Sequence, residues 1–190
     1  MTADLIPATE GAGPLLQRDY WAVLDDCCLK PSELMAHVKA HFCELPPRAL
    51  VEFAASAGLE VEAELDIRIR PAQACKVRVI HSDEQSLTLG TLAGHPEAGR
   101  ITFGAYRNTA REVVFHIRSR ARSSSTSTFF GFMALGEAMQ TNTWTDFINN
   151  TAVAVGARVR DAIHADTITV DEREDDGLPL NQPTFAAEGD

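Results

Sequence analysis

From position 59 to 70 the chain reads Leu-Glu-Val-Glu-Ala-Glu-Leu-Asp-Ile-Arg-Ile-Arg, apolar and charged residues in strict alternation. Side chains along a β-strand point to opposite faces in turn, so this pattern predicts a strand with one buried face and one wet face. A helix made from it would spread its charges around the whole circumference. The alternation also selects antiparallel pairing, because parallel strands covered on both faces read as continuous apolar runs. A sheet with one apolar face needs a cover, which another part of the chain must provide.

Further strands are predicted at short intervals over 75–81, 86–91, 99–106 and 111–120, joined by tight polar connections such as Ser82-Asp83-Glu84 and Asn108-Thr109. Before the alternating run, residues 15–28 read as a first strand through Tyr20, Trp21, Val23 and Leu24. Pro31 opens a short helix that places Leu34, Val38 and Phe42 on one side. Pro46-Pro47 ends it and starts a second short helix over 48–56. From Thr128 to about Ala165 the period becomes helical, with Met133, Gln140, Trp144, Ile148, Thr151, Val155 and Ala162 on one face and a break allowed at Thr141-Asn142-Thr143. This last helix alone is long enough to cover the sheet. The fold class is therefore α+β: a curved antiparallel sheet with two short helices, wrapped around a long C-terminal helix. We place a loose arm over 1–13, the domain over 14–168 and an acidic, disordered tail over 169–190.

Between the second and third of these later strands lies Gly90-Thr91-Leu92-Ala93-Gly94-His95-Pro96-Glu97-Ala98-Gly99. Three glycines and a proline restrict such a loop to few shapes, which aims His95 and Glu97. The segment resembles the G-T-x-x-G-H-P-E-x-G signature of the domain-of-unknown-function 1990 family. The element order likewise resembles the helix-grip fold of the birch-pollen-allergen, START and polyketide-cyclase (SRPBCC) superfamily. Lys76 to Ile80 and Val113 to Arg118 match the flanking strands, and Gln140 matches a glutamine of the last helix. The chain departs from the family where Arg100 replaces an acid and where Ser119-Arg120-Ala121 lacks a proline. The resemblance implies a cavity between sheet and helix, and no established activity.

Composition narrows the function classes. With 45% hydrophobic and 23% charged residues the chain is ordinary for a globular protein, and it holds no apolar run of membrane-spanning length and no secretory leader pattern. A cytoplasmic location is the expectation. The four cysteines form no C-x-x-C pair. The net charge of −10 is concentrated after position 170, where seven acids face one base. The tail's protein partner, if it has one, is not specified by sequence. Arg118, Arg120 and Arg122 alternate on one strand face without interleaved aromatics, which reads as a solvated face paired with Glu60, Glu62 and Glu64 rather than a nucleic-acid site. His37 and His41 have chelating spacing but no third ligand, so neither metal nor cofactor is expected.

Three residues carry possible chemistry. His95 and Glu97 could pass a proton between them, and Glu137, on the apolar side of the last helix, would be a third acid–base group. Phe103, Phe115, Met133, Glu137, Gln140, Trp144, Ile148 and Thr151 would line the cavity. The leading expectation is a binder of a hydrophobic or amphipathic small molecule, of the lipid, polyketide or isoprenoid kind, without committed catalysis. The alternatives are a cyclase, dehydratase or isomerase working through His95, Glu97 or Glu137, and an interaction module with a filled core.

Overall fold

The computed structural model describes residues 3–56, 58–70, 73–171 and 182–187, with backbone alone for 73 and 126–135. The chain runs β1 (Ala12–Asp25), α1 (Pro31–Ala40), β2 (Val51–Ala55), β3 (Glu64–Ile69), β4 (Gln73–Ser82), β5 (Ser86–Thr91) and β6 (Glu97–Arg107). It continues with β7 (Val113–Ser123), α2 (Thr126–Ala154), β8 (Arg158–Val159) and β9 (His164–Thr169). The strands form one antiparallel sheet in the order β2-β3-β4-β5-β6-β7-β1-β8, with β9 also paired to β1. β4 to β7 lie where the alternation placed them.

α1 begins at Pro31, whose missing N–H is no loss in a first turn, and the Glu33 carboxylate accepts from the Lys30 N–H (2.9 Å). Leu34, Met35 and Val38 on its inner side are fully buried. The second short helix expected over 48–56 is instead β2. A single turn forms at 47–50, after which Val51 and Phe53 face inward and the backbone pairs with Ile69 and Ile67 of β3. Five residues are too few for helical propensity to outweigh a sheet edge needing a partner. The alternating run is also shorter as a strand than its pattern: Glu62 takes φ +75°, and Val61 is 51% exposed, so pairing starts only at Glu64.

The long helix is continuous through Thr141-Asn142-Thr143 and stops at Ala154 rather than Ala165. Gly156 at φ +72° ends it, with Gly156 N–H donating to the Val153 carbonyl and Ala157 N–H to that of Ala152. This is a Schellman stop, for which glycine is the residue of choice. Val159 and His164 to Thr169 then return along β1 as strands. The tail boundary expected at 169 thus falls in β9, and Val170 is buried. Most of the acidic tail lies outside the described residues. No helix among the described residues is long and apolar enough to cross a membrane.

The core sits between the inner sheet face and the C-terminal half of α2. Phe103 meets Phe42, Phe147 and Trp144 at ring separations of 5.0, 5.2 and 5.5 Å, joined by Phe115, Ile148 and Ala152. The outer face is not simply solvated. Arg118 Nε and His116 Nε2 both reach Asp19 Oδ1 (2.5 and 2.6 Å), and Arg120 donates to Gln17; Glu64 pairs with Arg78 instead. Phe185 stacks on His116 (4.3 Å), while Thr184 bonds Thr102 and the Arg118 carbonyl. Burial by itself would raise the Asp19 carboxyl, but the His116 and Arg118 bonds outweigh it and hold it at about 2, below the ordinary 3.8. A depressed carboxyl contributes stability above its unfolded value and loses it as pH falls through the folded one. Asp19→Asn should therefore cost about 2 kcal/mol at neutral pH and flatten the loss of stability between 3.8 and about 2, read from urea midpoints across pH.

Candidate functional site

The Gly90–Gly99 signature becomes a stitched hairpin between β5 and β6. The Thr91 hydroxyl accepts from the Gly99 N–H (2.9 Å) and donates to the Gly99 carbonyl (3.1 Å). His95 N–H closes the turn on the Leu92 carbonyl, and Pro96 O accepts from Ser124 N–H at the start of α2. Gly94 stands at φ +92° in open space, whereas Gly99, at φ +149°, is pressed against β7. The N-terminal segment joins in, with Leu5 against Gly90 and Ile6 N–H on the Thr91 carbonyl.

His95 Nδ1 stands 3.0 Å from both the N–H and the carbonyl oxygen of Glu97. Burial holds its imidazole below the ordinary range, which favours the neutral ring. The Glu97 carboxylate turns to Arg18 of β1, with Nη1 to Oε1 at 3.2 Å. That arginine is 4% exposed in its side chain and also approaches Glu137 (3.7 Å).

Below the hairpin lies a cavity of about 120 Å³. One wall is apolar, from Val51 and Phe53 of β2, Ile67 and Ile69 of β3, and Val77 of β4. The middle of α2 closes it with Gly136, Met139, Gln140, Thr143 and Trp144. The third side, under the hairpin, is mixed: Thr91, His95, Pro96, Glu97, Arg100, Ile101 and Ser119. His95 and Pro96 also border an outer cleft of about 470 Å³ with Asp4, Ile6 and Glu10, so the loop is the wall between the two spaces.

Of the expected site residues, His95, Glu97, Gln140 and Trp144 meet at the cavity. Phe103, Phe115, Ile148 and Thr151 do not border it; each is fully buried in the packed core, and the Thr151 hydroxyl bonds the Phe147 carbonyl in its own helix. Glu137 is off the lining as well. Its side chain, 42% exposed, accepts from the Thr167 hydroxyl of β9 (2.8 Å), a strand the helical reading of 158–165 left out. Met133 has its side chain outside the described residues. Arg18, Ser119 and the β2–β3 wall went unrecognised in the sequence. The signal for Arg18 was there: it falls in step with Tyr20, Ala22 and Leu24, the inward positions of β1. Arg100 lies level with Gly90 and Arg120, and the direction of Gly90 toward Leu5 places this row on the outer face. Arg100 nevertheless borders the cavity, so the acid-to-arginine departure falls at its rim.

The family model described as a domain of unknown function (DUF1990) matches residues 41–160. The chain belongs to the DUF1990 family. Its match takes in the hairpin, the β2–β3 wall and the cavity side of α2, and leaves Arg18 outside. Among solved structures this DUF1990 chain is similar to norcoclaurine synthase from Thalictrum flavum, solved with dopamine and hydroxybenzaldehyde. The TM-score is 0.53 at 12% identity, over 82% of this chain and 93% of that one. A protein of Chromobacterium violaceum gives 0.51 at 12% identity, over 73% and 96% of the two chains. A hypothetical protein of Helicobacter pylori gives 0.51 at 8%, over 72% and 86%. At such identities the likeness shows the fold, which is the helix-grip fold. No curated protein matches the sequence.

Proposed function

We propose that this DUF1990 chain binds a small hydrophobic or amphipathic molecule in the cavity between its sheet and α2. The observation that carries this reading is the cavity's two-sided lining, an apolar wall from β2, β3 and α2 facing a few polar groups under the hairpin. Concave apolar sites with a small number of placed polar groups are the usual form of small-molecule pockets. At about 120 Å³ the room suits a compact ligand rather than a long lipid. Norcoclaurine synthase, solved with dopamine and hydroxybenzaldehyde, is a similar fold holding small aromatic molecules. An acid–base enzyme has less support: Glu97 is tied to Arg18, His95 Nδ1 is already engaged, and Glu137 is turned toward β9.

Native mass spectrometry of the protein purified from its own host should show a small non-covalent adduct that is lost on denaturation. Uniform apo mass, together with no chemical-shift change at Trp144 or Ile101 when small aromatic probes are added, would overturn the reading.

A further inference from the structure

The outer face of the sheet carries a row of arginines between two points where the C-terminal segment is fastened. Arg100 of β6 stands directly opposite Arg120 of β7, and Arg122 follows on the same face. Arg100 reaches the cavity rim, but its neighbour Gly90 turns toward Leu5, which sets the row on the side away from the core. Arg100 is 4% exposed and Arg122 9%. Like charges opposite each other in an antiparallel pair repel, and burial strengthens the repulsion, so such a row calls for carboxylates against it. Asp19, beside the row, is held by Arg118 and His116. At one end, level with Arg122, Val170 packs on Leu15 and Ala8, with its N–H on the Leu15 carbonyl (2.9 Å). At the other end the Thr184 N–H donates to the Thr102 hydroxyl (2.8 Å), and the Thr184 hydroxyl donates to the Arg118 carbonyl (3.1 Å). Thr102 and Arg118 are the next pair beyond Arg100 and Arg120 on that face.

We propose that the acidic run 171–176 is the counter-charge to this arginine row, so that the partner of the acidic tail is the chain's own outer sheet face. Between the two fastenings the chain carries Asp171, Glu172, Glu174, Asp175 and Asp176, with Arg173 as the one base. All five acids fall within six residues of Val170. Six residues reach about 20 Å at full extension, and the stretch of β1 from Leu15 to Asp19 spans about 14 Å. The tether therefore holds the acids beside the row at high effective concentration. The chemistry matches as well, because guanidinium groups take carboxylates through paired N–H···O bonds. The far end is secured by Phe185, which stacks on His116 (4.3 Å). Its ring lies so close to the sheet that a Cβ on Gly104 would stand 2.9 Å from it.

The test neutralises the run in the full chain by combining Glu172→Gln, Glu174→Gln, Asp175→Asn and Asp176→Asn. This takes the net charge from −10 to −6, which by itself relieves self-repulsion and raises the thermal midpoint. Loss of the arginines' counter-charge has the opposite sign, a midpoint lowered by about 4–8 °C at low ionic strength. The gap should narrow in about 0.5 M salt. Arg100→Gln should lower the midpoint of the wild type and leave that of the neutralised variant unchanged or raised. A neutralised variant that stays within about 2 °C of wild type, or rises above it, overturns the proposal. So does an Arg100→Gln loss of equal size in both backgrounds. Backbone NMR order parameters of residues 172–176 in the wild type decide the matter even if the variant does not fold. Values near about 0.85, those of rigid backbone, are expected, and values below about 0.6 overturn the proposal.

Discussion

Replacing Arg18 with methionine is expected to lower stability by about 3–5 kcal/mol, the cost of leaving a partner charge buried and uncompensated. The Arg18 side chain is 4% exposed and that of Glu97 13%, so neither can turn to water when the other is lost. Glu137, at 42%, can. The damage should therefore come from Glu97, and adding Glu97→Gln to Arg18→Met should restore most of it. Urea denaturation midpoints of the two single variants and the double variant measure this directly. A loss under about 1 kcal/mol in Arg18→Met, or a double variant worse than both singles, would show that the pair is solvated and does not organise the polar side of the cavity.

Gly99→Ala is the second large effect, roughly 3–4 kcal/mol. A Cβ at Gly99 would stand 2.2 Å from the Arg120 carbonyl oxygen and 2.7 Å from the Ala121 Cα. Those are backbone atoms of the adjoining strand, which cannot step aside without breaking the β6–β7 ladder. The φ of +149° adds backbone strain of about 1–3 kcal/mol to an overpacking cost of similar size. Gly94→Ala makes the control. Its φ of +92° is also unfavourable, but nothing lies within 4 Å of the added methyl, so about 1 kcal/mol is expected. Comparable losses at the two positions would mean that the hairpin moves freely against β7. A large difference would establish that the Gly90–Gly99 signature records a close approach of two strands.

That signature looks like a functional motif in one dimension and proves mostly architectural in three. Thr91 stitches Gly99 at both its backbone groups, Gly90 makes room for Leu5, and Gly94 takes the turn. Of its residues Thr91, His95, Pro96 and Glu97 border the cavity. Glu137 illustrates the reverse error. Its helical position points toward the sheet edge, but β9, whose six residues are all exposed, carries no alternation by which it could be recognised. With β9 absent from the reading, the residue had nothing to meet but the cavity.

The antiparallel sheet, the run of β4 to β7, the start of α1, the covering helix and the family are legible along the chain. Each is written in local periodicity or in glycine and proline placement, which act over a few residues. The tertiary structure alone decided that 51–55 is a strand, that α2 ends at Ala154, and that Arg18, Glu97 and Ser119 meet under the hairpin. These depend on pairings between segments far apart in the chain, Arg18 and Glu97 being 79 positions apart. No local propensity encodes such a meeting. It arises because burying the apolar faces of β1 and β7 forces their polar neighbours into the same place.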